Sequence, residues 1–217
     1  MGILGRAVLN SFAVALLACT VPAQQTPKAL SSQPAAPKPD SGSITNNVYR
    51  NSTFGFAYKL TYGWVDRTRE MTDDPSDSPA DSNANKKSVL LLGAFEHPPE
   101  VSGDTVNSAV VIAAEPTSSY PGLQNAEQYF GPLTELVQSK GFQVVNEPYD
   151  YAIGSTHLVR SDFSKPRGNL TMLQSTLVMI EKGYVVSFTF IAGSEAEMDE
   201  LMEGLSFAAK QPPAAHK

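Results

Sequence analysis

The sequence predicts an α+β domain built around an antiparallel sheet of about six to seven strands, with one mid-chain helix and one C-terminal helix. Two observations carry that prediction. Strand-length apolar or alternating runs recur from Phe54 to Ile191, joined mostly by short turns. Two segments instead show apolar residues at spacings of three and four with capping signals at their starts, and they sit mid-chain and at the end.

The first alternating run places Phe54, Phe56, Tyr58 and Leu60 on one face of a strand, and a turn at Thr61-Tyr62-Gly63 leads to Trp64, the single tryptophan. Residues 66–87 are crowded with Asp, Ser, Asn and Pro and show no usable period, so they read as a loop excursion between strands. Apolar runs at Ser88–Phe95 and Ser108–Ala114 have strand length. From Asn125 to Lys140, Tyr129, Phe130, Leu133, Leu136 and Val137 form a helical stripe. Asn125 and Gln128 form the capping pair and Gly141 stands at the left-handed C-terminal position. Pro132, after Gly131, is expected to kink or divide this helix, because proline lacks a donor and clashes with the preceding turn. Strands follow at Phe142–Tyr149, His157–Phe163 and Leu170–Ile180. The turn Glu181-Lys182-Gly183 makes the last of these a hairpin with Tyr184–Ile191. In that final strand Tyr184, Val186, Phe188 and Phe190 share one face and Val185, Ser187, Thr189 and Ile191 the other, so both sides are expected to be covered. Ser194 with Glu197 forms a capping box before the stripe Met198, Leu201, Met202 and Leu205.

Outside this region the composition changes. Arg6 precedes an uncharged apolar run, Ala7–Ala18, too short to cross a bilayer as a helix but of the length of an export signal core. Two processing routes fit. Val21-Pro22-Ala23 before Gln24 suits ordinary signal peptidase, giving a signal peptide of residues 1–23. Leu16-Leu17-Ala18-Cys19 resembles a bacterial lipobox, which would end the signal at residue 18 and place a lipid on Cys19. Both routes export the chain, to the periplasm, to a membrane-anchored position in the cell envelope, or into the medium. Residues 24–45 are rich in Pro, Ala, Ser and Gln and poor in large apolar groups, so they are expected to form a disordered linker, and residues 210–217 a tail of like character. The domain is then 46–209.

Charge and cysteine content exclude several functions. Residues 46–209 hold eleven Lys and Arg against twenty-one Asp and Glu, a net −10 where the whole chain carries −6. A nucleic-acid backbone binder needs the opposite balance. One cysteine permits no intrachain disulfide and no multi-thiolate zinc site.

The opening stretch Tyr49-x-Asn51-x-x-Phe54-Gly55-Phe56-x-Tyr58, the turn into Gly63-Trp64, the central helix and the closing strand–helix unit from Gly183-Tyr184 to Phe207 resemble the PsbP/Mog1-like superfamily. That group includes many exported bacterial proteins of unassigned function. The resemblance implies an α/β/α sandwich used mainly for protein binding or assembly, with no shared catalytic residue set.

Local motifs for catalysis are missing. His97 lies before Pro98-Pro99, His157 begins a strand and His216 lies in the tail, so no ligand spacing for a metal arises, and no metal or cofactor site is assigned. There is no G-x-S-x-G or S-x-x-K feature, and Gly154-Ser155-Thr156-His157 reads as a hairpin turn. No phosphate-binding glycine motif occurs. The acids of the loop and of the terminal helix read as solvated surface. Asp73, Asp74, Asp77 and Asp81 offer hard oxygen ligands for calcium, but the EF-hand glycine and terminal glutamate are lacking.

The expectation is therefore a non-enzymatic exported cell-envelope module. Its partner would be an envelope protein or a small ligand, and it would meet a membrane only through a lipid at Cys19. An envelope enzyme whose site is not a local motif, or low-affinity divalent cation binding by the acidic loop, are the alternatives.

Overall fold

The computed structural model describes residues 38–73, 88–98 and 105–208, all within the compact unit Ala35–Lys217. Cys19, the export signal, the acids Asp74, Asp77 and Asp81, and His216 lie outside the described residues.

Among the described residues, eleven strands form two antiparallel sheets. The smaller has the order β1 (Ser43–Thr45), β2 (Val48–Asn51), β3 (Phe56–Lys59), β11 (Leu205–Phe207). The larger runs β4 (Val65–Asp66), β5 (Val89–Phe95), β6 (Ala109–Pro116), β10 (Tyr184–Ala192), β9 (Leu170–Glu181), β8 (Thr156–Arg167), β7 (Gln143–Ile153). Helices α1 (Thr68–Asp73) and α2 (Ala126–Ser139) cover one face of the large sheet; α3 (Glu195–Glu203) and the small sheet cover the other. The seven-stranded central sheet between two layers is the predicted sandwich. The second sheet and α1 go beyond it.

Tyr49, Phe54, Phe56 and Tyr58 enter the main core, where Phe56 meets Phe188 edge-on at 4.9 Å between ring centroids and Tyr58 lies 6.0 Å from Phe190. The alternation at 54–60 is real as burial, yet the strand covers only Phe56–Lys59. Residues 52–55 turn, with Gly55 at φ +68° and the Asn51 carboxamide oxygen accepting from the Phe54 N–H at 3.0 Å. Asn51 also donates to the Asp40 carbonyl at 2.7 Å and to the Tyr49 hydroxyl at 3.2 Å. Buried polar groups need such partners. The resemblance motif is thus a folding device that ties the N-terminal segment to the core.

That tie corrects the expected linker boundary. Residues 38–45, assigned to the linker on composition, are ordered: Pro39 is buried, Asp40 accepts from the Ser52 hydroxyl at 3.0 Å, and β1 pairs with β2. Prolines and small polar residues can be fixed when a neighbouring structure supplies the hydrogen bonds that the segment cannot supply itself.

Helix α1 falls inside the stretch expected to be a loop. Asp66 accepts from the Thr68 N–H at 2.9 Å, Arg67 pairs with Glu70 at 3.5 Å, and Met71 packs over Gly93, leaving no room there for a larger residue. At six residues it is too short for a period to be read. Helix α2 runs through Pro132 without being divided. Gly131 and Pro132 face solvent, so water can serve the Gln128 carbonyl left without its helical donor. Its caps match expectation: Asn125 accepts from the Gln128 N–H at 3.0 Å. Beyond its end, Phe142 N–H to the Val137 carbonyl and Gly141 N–H to the Gln138 carbonyl close a Schellman motif with Gly141 at φ +88°. Of its stripe, Tyr129, Phe130 and Val137 are buried but Leu136 is 56% exposed. The hairpin turn of β9 and β10 has positive φ at both Lys182 and Gly183, the primed geometry that matches strand twist.

Candidate functional site

Strand β8 builds the site. Leu158, Arg160 and Asp162 alternate toward the face covered by α3, while Val159, Ser161 and Phe163 point to the α2 side. Register then places Asp162 opposite Ser175 on β9 and Asn146 on β7, and Arg160 opposite Tyr149. Two irregularities in β7, between Val144 and Asn146 and between Asn146 and Tyr149, bring both Asn146 and Tyr149 within reach of one carboxylate. From the opposite face the Ser161 hydroxyl donates to the Asn146 carbonyl at 2.7 Å and holds that bulge.

Asp162 is buried, its side chain only 11% exposed, and its carboxylate accepts four hydrogen bonds. Arg160 Nε donates to Oδ1 at 2.8 Å together with the Ser175 hydroxyl; Asn146 Nδ2 at 3.0 Å and the Tyr149 hydroxyl at 3.2 Å donate to Oδ2. Burial works to raise its pKa, but the hydrogen bonds from Ser175, Arg160 and Asn146, with the Arg160 charge, outweigh burial and hold the carboxyl below its ordinary range. Tyr149 moves the other way, to about 12, through burial and then the Asp162 charge.

Arg160 is fixed as firmly as its partner. Its guanidinium carbon lies 5.8 Å from the Tyr149 ring centroid and 5.3 Å from that of Tyr151. With Nε taken by Asp162 and its faces flanked by rings, the Nη edge makes no hydrogen bond to the described residues. Arg160, Asp162, Asn146 and Ser175 line a half-open cavity of about 240 Å³, together with Val145, Leu173, Gln174 and, from α3, Glu195, Met198 and Asp199. Asp162 is saturated, so the groups left to meet a ligand are the Arg160 fork, the exposed carboxylates of Glu195 and Asp199, and the aliphatic side chains.

A larger concavity of about 570 Å³ lies by Asn46, Lys59, Tyr62, Glu200 and Glu203. Nearly all of its lining is solvent-exposed, and Tyr62 is 91% exposed, so it is a shallow surface groove without oriented charge.

The residues weighed for chemistry on sequence grounds lie elsewhere. Ser155 is exposed at the β7–β8 turn beside Gly154 at φ +60°, and His157 is exposed on β8. His97 is exposed in a loop pinned by Asn107, which accepts from its N–H and donates to its carbonyl, both at 2.9 Å. Trp64 packs, half-buried, against the main core. Among the described residues no three His, Cys, Asp or Glu side chains are placed to hold a metal. Glu115, which accepts from Tyr129 at 2.7 Å and from Tyr120, fastens α2 and the preceding turn to β6. The sequence signal for the true cluster was slight: opposite charges two apart on a strand share a face and pair, and Arg160 is the single cation between Lys140 and Lys165.

No protein-family model matches the chain, and no curated protein sequence matches it. Solved structures similar to it include cyanobacterial PsbP (CyanoP) from Synechocystis, at 14% identity over 77% of this chain and 98% of that one, with a TM-score of 0.45. The Ran-binding protein Mog1p of Saccharomyces cerevisiae is similar at 7% identity over 76% of this chain and 96% of that one, with a TM-score of 0.40. LpqN of Mycobacterium tuberculosis, involved in cell envelope biogenesis, is similar at 14% identity over 70% and 83%, with a TM-score of 0.35. Among the described residues no helix is long and apolar enough to cross a membrane. The chain is similar to solved PsbP and Mog1p structures, and at these identities no residue role passes from them to it.

Proposed function

We propose that this chain is an exported, non-enzymatic binding module whose site is the cavity between β7–β9 and α3, and that its ligand is small. The observation that carries the reading is Arg160, a cavity-lining charged donor held by Asp162 and flanked by two tyrosine rings, whose Nη groups make no hydrogen bond to the described residues. Such preorganisation lowers the ordering cost of binding. The carboxylate beside it supports binding over catalysis. A general base needs a free lone pair and a pKa near working pH, whereas Asp162 has its oxygens occupied and its pKa lowered. The tyrosine beside it is pushed upward instead.

A small ligand is favoured over a strand-adding protein partner by β7 itself. It is the edge strand beside the cavity, and its two irregularities and Pro148 interrupt the ladder a partner strand would extend. The cavity also falls below the 300 Å³ or so at which drug-sized sites begin. Export rests on residues 1–23.

Amide chemical-shift mapping of the mature protein with fractionated small-molecule extract tests the site. Shifts should cluster at residues 145–146, 160–162, 173–175 and 195–199, and the molecule should be recovered unaltered by mass spectrometry. Shifts confined to other surfaces, or recovery of a converted product, would refute the proposal. The mass of the mature N-terminus from cell fractions decides between lipidated Cys19 and Gln24.

A further inference from the structure

The charges that remain open in the cavity specify more than size. We infer that the ligand is a zwitterionic α-amino acid with a short aliphatic side chain; this rests on the cavity being the binding site. The argument is one of complementarity. Arg160 contributes one positive charge, while Asp162, Glu195 and Asp199 contribute three negative ones, so the lining is net −2 and repels a simple anion. A simple cation is drawn to the carboxylates but leaves the Nη groups of Arg160, whose Nε alone is taken by Asp162, without an acceptor. A molecule carrying both charges satisfies both sets of groups.

The division of labour follows from which atoms are free. The Nη pair of Arg160 presents two parallel N–H donors, the geometry that holds a carboxylate bidentately. Glu195 and Asp199 sit one turn apart on α3, at i and i+4, on the same side of the helix, and accept from an ammonium group. Val145, Leu173 and Met198 supply apolar wall for a short side chain. Asp162 takes no part in contact; it positions Arg160.

Calorimetric titration of the mature protein with L-valine, isovalerate and isobutylamine separates the two charges. L-valine should bind, and the single-charge probes should bind more weakly by about tenfold or more. Glu195→Gln with Asp199→Asn, both on an exposed helix surface, should bring L-valine down to the affinity of isovalerate with the melting temperature unchanged. Arg160→Lys, which keeps the charge but not the fork, should weaken L-valine by about tenfold. Isovalerate or isobutylamine binding as tightly as L-valine, or unchanged L-valine affinity in the double variant, would overturn the assignment. If extract molecules shift the cavity resonances but L-valine does not bind, the ligand class is wrong and the binding-module reading stands. If neither perturbs the cavity, both fail.

Discussion

Replacing Asp162 by asparagine keeps the shape and removes the charge on which the site depends. Its four acceptor bonds cannot all survive. The amide oxygen can continue to accept from Arg160 and Ser175, but the new NH2 then faces two donors, Asn146 Nδ2 and the Tyr149 hydroxyl. Counting four charge-assisted bonds at full value would give about 6–12 kcal/mol. That is too much, because Asn146 and Tyr149 are exposed enough to turn to water. Arg160 is not: its side chain is 16% exposed and it loses its counter-charge. Removing one partner of a buried pair costs about 3–5 kcal/mol, and the retained oxygen places Asp162→Asn at the low end, about 3 kcal/mol. In a domain of this size that lowers the melting temperature by about 6–12 °C.

The pH dependence gives the sharper test. The folded pKa of Asp162 lies below its unfolded value of about 3.9, so its contribution is complete above that value and is lost as pH falls through the folded pKa. Urea unfolding of both proteins from pH 7 downward should show the gap narrowing once pH drops below about 4, where the protonated aspartic acid resembles asparagine. A gap under about 1 kcal/mol at pH 7, or one that stays constant to pH 3, would refute the claim that this carboxylate is held ionised by its four donors.

Three further outcomes follow from the same structure. Gly42→Ala should destabilise by about 2–3 kcal/mol in chemical denaturation, since Gly42 has φ +74° and a Cβ there would stand 2.5 Å from Tyr49 Cζ. Ser194→Ala should cost about 1 kcal/mol, because Ser194 Oγ accepts from the Glu197 N–H at 3.3 Å. Glu197 should still hold α3 through Ser108 and the Gly193 N–H, so helical circular dichroism should persist. Burial, opposed by the Asn51 hydrogen bond and aided by Asp40, pushes Tyr49 up to about 12, so the stability it lends is present below its unfolded pKa of about 10 and is lost as pH rises through about 12. The alkaline unfolding limb should therefore flatten in Tyr49→Phe.

Much of the fold was legible because local physics and burial agreed. The hairpin at Lys182-Gly183, the caps of α2 and α3 and the two covered faces of β10 each follow from a turn residue, a capping side chain or an alternation that needs no distant partner. Where the period was too short or the stabilising group came from afar, reading failed. Helix α1 is a single cap and a turn and a half. The ordering of residues 38–45 depends on Asn51 and Tyr49 across a turn. Pro132 is tolerated because its side of α2 faces water, which the chain alone does not say.

The candidate site divides in the same way. By itself the sequence determined an acidic domain with the single cysteine outside it and a strand on which Arg160 and Asp162 share a face. Only the tertiary structure decided that this face turns inward, that the irregular β7 brings Asn146 and Tyr149 onto the same carboxylate, and that α3 lays Glu195 and Asp199 along the cavity. The reason is that these residues come from two strands and a helix, up to 53 positions apart. Sheet register, which local propensity does not set, is what makes them neighbours.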